Sequence, residues 1–327
     1  MTILVTGSGG HLGEALMRSL RAQRRAVLGV DIVTSPFTDA VGSICDHAFV
    51  TRCVRGVGAI VHSATLHKPH VATHAHRDFV ETNITGTLTL LEAAAAAGVR
   101  TFIFTSTTSA FGSALTPEPG EAAAWVTEDV VPIPRNIYGV TKFAAENLCE
   151  LFHRQRRMSA VVLRTSRFFP EADDDVAVTD NYELANVQAN EMLNRRIDIA
   201  DVVSAHLSAI ERASEIGFGR YIISATTPFS RADLAERRGN APAVVHRLFS
   251  QCEAAFAARG WRLFPTIDRV YVNRRARAEL AWRPRYDFSY VLECLRSGKD
   301  FRSPLAREVG SKGYHAMIFE QGPYPVA

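Results

Sequence analysis

The sequence predicts a doubly wound α/β fold, a parallel sheet covered by helices on both faces. Three observations carry the prediction. Short, wholly apolar segments recur through the first half of the chain, the pattern of strands buried on both sides. Helical segments separate them, as crossover connections require. The first strand also runs straight into "GSGGHLG", with Gly7, Gly10 and Gly13 three residues apart.

Taken in order, "TILVT" is a strand, Leu12–Arg24 a helix, "AVLGVD" a strand ending at Asp31, and "GAIVHSA" a third strand. "FVETNITGTLTLLEAAAAAGV" is a long helix; its alanine run has high intrinsic propensity and Gly98 ends it. "TFIFTS" is a strand, Tyr138–Arg157 a helix and "AVVLRT" another strand. Beyond Thr165 the alternation loosens. "FFPEADDDVAVTD" is acidic and irregular, "RRIDIADVVSAHLSAIERA" returns as strand then helix, and "GRYIISA" is one more strand. From Pro228 onward the chain is helical, broken by prolines and rich in arginine. The expected organisation is a main unit of residues 1–166 and 195–226, and a smaller, discontinuous unit of residues 167–194 and 227–327.

Composition excludes several classes. The 327 residues are 47% apolar and 22% charged, ordinary for a globular protein. No apolar run reaches the roughly 20 residues of a bilayer span. The chain passes directly from Met1 into a strand, so no leader peptide and no membrane partner are expected, and the compartment reads as cytoplasmic. The 5 cysteines form no Cys-x-x-Cys pair, which fits reduced thiols. A net charge of +3 is too small to imply nucleic acid. Only Lys68, Lys142, Lys299 and Lys312 are lysines; the many arginines between Arg231 and Arg296 read as a solvated surface.

At the glycine turn the residue types match a mechanism. Gly7 permits a tight turn, Gly10 lets backbone approach a pyrophosphate, and Gly13 lets helix pack on strand. Asp31 closes the second strand about 20 residues on, where a carboxylate accepts hydrogen bonds from ribose hydroxyls and repels a 2′-phosphate. The reading is a Rossmann-type site that takes NAD in preference to NADP, with His11 and Leu12 of the same turn among its cofactor-binding residues.

The Gly-x-x-Gly-x-x-Gly spacing, with the motifs that follow it, resembles the extended short-chain dehydrogenase/reductase family, the NAD-dependent epimerases and dehydratases. "IVHSA" resembles that family's cofactor-side strand end, with Ser63 and Ala64. "CDHAF", with Asp46, resembles its adenine-contacting aspartate, and "TNITGTLTLLEAAAAAGV" its central helix with Asn83 at the marker position. "FIFTSTTSAFG" resembles its hydroxyl-bearing strand, "YGVTK" its Tyr-x-x-x-Lys pair and "WRPRYDF" its C-terminal signature. The resemblance spans most of the chain and is strongest over residues 1–165.

The resemblance implies that Tyr138 is the general acid/base, and that Lys142, one helical turn on, tunes it and holds the nicotinamide ribose. A neighbouring ammonium favours the phenolate and is expected to lower a pKa that otherwise lies near 10. The third catalytic member is a hydroxyl. Alignment on Gly112 gives Thr107, with Thr105, Ser106 and Thr108 as competitors; Thr105 also counts among the cofactor contacts and Thr108 among the substrate contacts. The family's sugar-nucleotide dehydratases carry Thr-Asp-Glu here, whereas this chain has Thr108 and Ser109 in place of the acids, so dehydration is not expected. His62, His67, His70, His74 and His76 crowd together. His70 and His74 have a metal-pair spacing, but neither a cysteine nor a clear carboxylate accompanies them, and no metal is expected. His67 falls in the loop that borders the family's substrate.

"LRTSRFF" puts Arg167 where sugar-nucleotide members carry an asparagine, followed by Phe168 and Phe169. Asn194 stands where they carry a phosphate-gripping arginine, with Arg195 and Arg196 next; a one-residue slip makes Arg196 a substrate contact. A guanidinium suits a carboxylate or phosphate, and the rings suit an apolar or planar group. The expectation is an NAD-dependent oxidoreductase acting on a carbinol or carbonyl carbon of a small sugar-like or acidic substrate. Two alternatives stand beside it: a nucleotide-sugar epimerase that retains NAD, and a non-catalytic dinucleotide sensor, against which the Tyr-Lys pair argues. A small molecule is the expected partner, and a homodimer is compatible.

Overall fold

The computed structural model describes residues 1–171 and 176–312. The acidic run at 172–175 and the end of the second expected unit, 313–327, lie outside the described residues. The chain begins with β1 (Thr2–Thr6), α1 (His11–Ala22), β2 (Val27–Asp31), β3 (Ala40–Val41), α2 (His47–Cys53) and β4 (Val57–His62). A helical stretch follows as α3 (His76–Phe79), a π-helical turn (Val80–Thr85) and α4 (Gly86–Ala96). Next come β5 (Thr101–Thr107), β6 (Ala124–Val126), α5 (Ile137–Arg156), β7 (Ser159–Thr165), α6 (Val176–Thr179), α7 (Leu184–Glu191), α8 (Ile199–Ile216) and β8 (Phe218–Ile223). The last elements are α9 (Leu234–Leu248), α10 (Cys252–Ala257), β9 (Arg269–Tyr271), α11 (Arg274–Glu279), α12 (Phe288–Arg296) and α13 (Pro304–Val309).

Seven strands form one parallel sheet in the order β3-β2-β1-β4-β5-β7-β8, while β6 and β9 pair separately. Period-2 alternation sends Ile3, Val5, Val61, Ile103 and Val161 to the face under α1 and α8. It sends Leu4, Ile60, Phe102, Phe104 and Val162 to the face under α2, α4 and α5. Coverage on both faces is why these strands read as continuous apolar runs. The order of strands reverses between β1 and β4, and a crevice at that switch point is where such sheets bind ligands. A further apolar cluster gathers α7, α9, α10 and α12, while Leu280, Trp282 and Val309 pack beneath the main sheet.

Three local features differ from the expectation. The long helix contains the π-helical turn at Asn83, where the Thr87 hydroxyl donates to the Asn83 carbonyl at 2.7 Å; such turns redirect one side chain inward. "RRIDI" does not form a strand. Its backbone makes a single bridge, Arg167 to Arg196, before Asp198 accepts the Ala200 N–H and caps α8. β3 is two residues long, too short for an alternation to mark it. No helix among the described residues is long and apolar enough to cross a membrane.

Candidate active site

A cavity of about 690 Å³ lies along the carboxyl ends of the strands, from β2 and β3 at one end to β5 and β7 at the other. Its floor is the glycine turn. Gly7 has φ +71°, and a Cβ there would come 2.8 Å from the Ala64 nitrogen. A Cβ on Gly13 would lie 1.8 Å from the Gly7 carbonyl oxygen. Only glycine at both positions lets β1 turn this closely into α1, whose first residues, Gly10 to Gly13, line the cavity. Asp31 accepts the Gly9 N–H at 2.9 Å and the Val33 N–H at 3.1 Å, fixing its carboxylate at the end of β2. Ser63 donates to the Thr6 carbonyl at 2.7 Å, and His62 bridges the Thr6 and Thr87 hydroxyls at 2.8 and 2.9 Å. Complete burial holds the His62 imidazole neutral by lowering its pKa. A close-packed glycine turn, open helix N–H groups and a carboxylate at ribose height suit a dinucleotide.

Two residues expected at the cofactor, Asp46 and Asn83, are not on the cavity wall. Asp46 caps α2 by accepting the Phe49 N–H at 3.0 Å, and Gly42, Ser43 and Ile44 line the cavity instead. An aspartate immediately before a helix is a capping signal in the sequence itself. Asn83 is 2% exposed. It accepts from the Leu66 N–H (2.8 Å) and the Thr65 hydroxyl (2.9 Å), and donates to the Leu66 carbonyl (2.9 Å) and the Thr141 hydroxyl (3.0 Å). It ties the loop after β4 to α5.

At the other end, Asn136 caps α5; its side chain accepts the Gly139 N–H at 3.0 Å and so sets Tyr138 in the first turn. Thr107 ends β5; its hydroxyl accepts the Ser109 N–H at 3.0 Å, and Thr107 and Tyr138 both line the cavity. The Thr105 hydroxyl is bonded to His206 Nε2 at 2.9 Å, and the Ser106 hydroxyl donates to Glu146 at 2.6 Å. Burial pushes the Tyr138 phenol up to about 12, with the nearby Thr107 hydroxyl pulling the other way. This reverses the expected lowering. The reason lies in Lys142, which is 2% exposed and off the cavity wall. Its ammonium sits 4.0 Å over the Phe104 ring, and burial lowers its own pKa to about 7. Tyr138 therefore stands as a neutral phenol at pH 7, able to give a proton to an oxygen presented beside Thr107.

An aromatic row forms one wall: His11 on Phe168 (5.9 Å), Phe168 on Phe169 (4.4 Å), Phe169 on His67 (5.5 Å) and His67 on His70 (4.6 Å). Burial lowers the His11 pKa to about 4, so this ring is neutral. Arg167, Thr108 and Arg195 also line the cavity. Arg195 pairs with Glu191 at 2.8 Å. Arg196, the expected contact, is buried off the cavity, with Nε on Glu191 at 2.6 Å and Nη1 on the Phe169 carbonyl at 2.7 Å. The cavity also receives Arg269 and Tyr271 from β9, which no sequence motif marks. Among the described residues no group of three or more His, Cys, Asp or Glu side chains is placed to hold a metal ion.

Comparison with known proteins agrees with this architecture. The model of the NAD dependent epimerase/dehydratase family matches residues 3–223. A dTDP-glucose 4,6-dehydratase from Streptomyces niveus is 30% identical, over 93% of this chain and 96% of its own. A UDP-glucose 4-epimerase from Rhizobium leguminosarum bv. trifolii is 25% identical, over 92% of this chain and 97% of its own. A short-chain dehydrogenase/reductase superfamily protein from Agrobacterium tumefaciens, solved with bound NAD, superposes with a TM-score of 0.65 at 25% identity, covering 94% of this chain and 99% of that one. With the family's glycine turn and its Tyr-x-x-x-Lys helix at the two ends of one cavity, the chain belongs to the NAD-dependent epimerase/dehydratase family of extended short-chain dehydrogenases/reductases, and NAD is its cofactor.

Proposed function

We propose that this protein is an NAD-dependent oxidoreductase acting on a carbinol or carbonyl carbon of a small sugar-like or acidic molecule, with Tyr138 as its proton-transfer group. The observation that carries this reading is that Thr107 and Tyr138 line the same cavity as the glycine turn. NAD, when bound, supplies the hydride acceptor and donor; Gly7, Gly10, Gly13 and Asp31 are the residues that would hold it. Tyr138 gives a proton to the substrate oxygen on reduction and takes it back on oxidation. Thr107 orients that oxygen. Lys142, one helical turn beyond Tyr138 on α5, acts from behind the cavity wall, and Asn83 holds the loop that carries His67. Residues 1–166 and 195–226 serve the cofactor and the remainder the substrate, a division supported by the separate apolar cluster of α7, α9, α10 and α12.

Elimination of water is disfavoured by the hydroxyls of Thr108 and Ser109 beside Thr107. Among the described residues lining the cavity the carboxylate is Asp31, at the far end. A nucleotide sugar is disfavoured because Arg196 is committed to Glu191 and Phe169. Arg195 on the cavity wall and the named relatives favour the second reading, a sugar-nucleotide epimerase with retained NAD. The test is to supply added NAD with aldoses, hexuronates or hexose phosphates and follow NADH absorbance. Reduction of many NAD molecules per chain is expected. Interconversion of a UDP- or dTDP-sugar with no net NADH overturns the reading in favour of the epimerase.

A further inference from the structure

β9 carries an alternation of its own. Arg269 and Tyr271 are two residues apart on one strand and both reach the cavity, while Val270 between them is fully buried. Tyr271 packs with Phe111 and Leu115, in the segment just after Thr107. This sets β9 against the Thr107–Tyr138 end of the cavity rather than the Asp31 end. The hydrogen bonding of Arg269 is incomplete: Nη1 reaches Asp268 at 2.8 Å, but Nε is buried without a partner. Behind it Arg237 is fully buried, donates from Nη1 to the Arg269 carbonyl at 3.2 Å, and leaves Nε and Nη2 without partners. Burial lowers the Arg237 pKa only to about 10, so it stays charged at neutral pH. Asp268 and Asp233 are the carboxylates that face it, and Asp233 is already held by Ser230 and Arg247. A buried donor without an acceptor is costly, and of these two arginines Arg269 is the one on the cavity wall, where an arriving acceptor can meet its guanidinium.

We propose that Arg269 anchors an acid group, carboxylate or phosphate, on the substrate whose hydroxyl or carbonyl meets Thr107 and Tyr138. The proposal rests on the redox reading above for which end of the substrate reacts. The guanidinium fork matches either anion in two-point geometry, which a lysine does not reproduce. The distance along the cavity between Arg269 and Tyr138 then selects which carbon is oxidised or reduced.

Calorimetry on the NAD-loaded protein tests this, with D-glucuronate as the carboxylate probe, D-glucose 6-phosphate as the phosphate probe, D-glucose as the neutral control and UDP as the diphosphate control. One of the two acids should bind at least about 10-fold more tightly than D-glucose, and which one identifies the anion. Arg269→Ala should weaken that acid by about 10–100-fold with NAD affinity unchanged, and Arg269→Lys should fall between. Unchanged NAD affinity also shows that the variants fold. Equal binding of acid and D-glucose by the wild type, or equal acid binding by wild type and Arg269→Ala, overturns the proposal. So does tight UDP binding that Arg269→Ala leaves intact. Tyr138→Phe separates the two readings: if it keeps full turnover while Arg269→Ala loses the acid, the redox assignment falls and the anion site stands.

Discussion

Lys142→Met should abolish most turnover and at the same time make the protein more stable at pH 7. The wild-type ammonium is 2% exposed and rests on the Phe104 ring rather than in water. Its pKa falls from the usual 10.5 to about 7, a difference of about 4–5 kcal/mol between the charged form in the folded and unfolded chain. Glu146 and the ring offset part of this, and an apolar side chain of similar length keeps the packing. A net gain of about 1–3 kcal/mol is expected, or a rise of a few degrees in Tm. The sign with pH is fixed by the lowered pKa. Between about pH 7 and 10.5 the unfolded chain holds a proton that the folded chain has lost, so wild-type stability climbs with pH across that window. Lys142→Met lacks this climb, so the gap between the two proteins should close as pH rises. Urea unfolding of both nucleotide-free proteins at several pH values measures it. A variant less stable than wild type at pH 7, or a gap constant with pH, would show that the buried charge is a net stabiliser and that the account of Lys142 is wrong.

Tyr138→Phe should lower turnover by about 10²–10⁴-fold with the NAD dissociation constant unchanged, read by steady-state kinetics and nucleotide titration. Thr107→Val should cost about 10-fold or more in turnover, whereas Thr105→Val should leave turnover near normal and reduce stability by about 1–3 kcal/mol, because His206 Nε2 is left buried without its partner. The wild type should bind NADP(H) at least about 10-fold more weakly than NAD(H), and Asp31→Ser should narrow that difference; equal affinities in the wild type would refute the reading of Asp31.

How much of this was legible depended on whether a residue's partner lay nearby in sequence. The glycine turn, the strand faces and the Tyr138–Lys142 spacing are local, and local steric rules fix them. The Asp46 cap is also locally legible, since the residue stands directly before α2. Thr105 and Thr107 share a parity on β5, so no pattern within that strand separates them. The separation comes from His206, 101 positions from Thr105, which takes the Thr105 hydroxyl. Arg195 and Arg196 divide in the same way: Glu191 and the Phe169 carbonyl claim Arg196, and its neighbour is left on the wall. The inverted expectation for Tyr138 has a different origin. A one-turn spacing says that an ammonium is near a phenol, but not that both are desolvated. Desolvation acts on each group separately and is the largest cause of both shifts, and neither group is among the causes of the other's. A Tyr-x-x-x-Lys pair therefore states which groups are available for proton transfer, while the depth at which the fold buries them sets the direction in which each pKa moves.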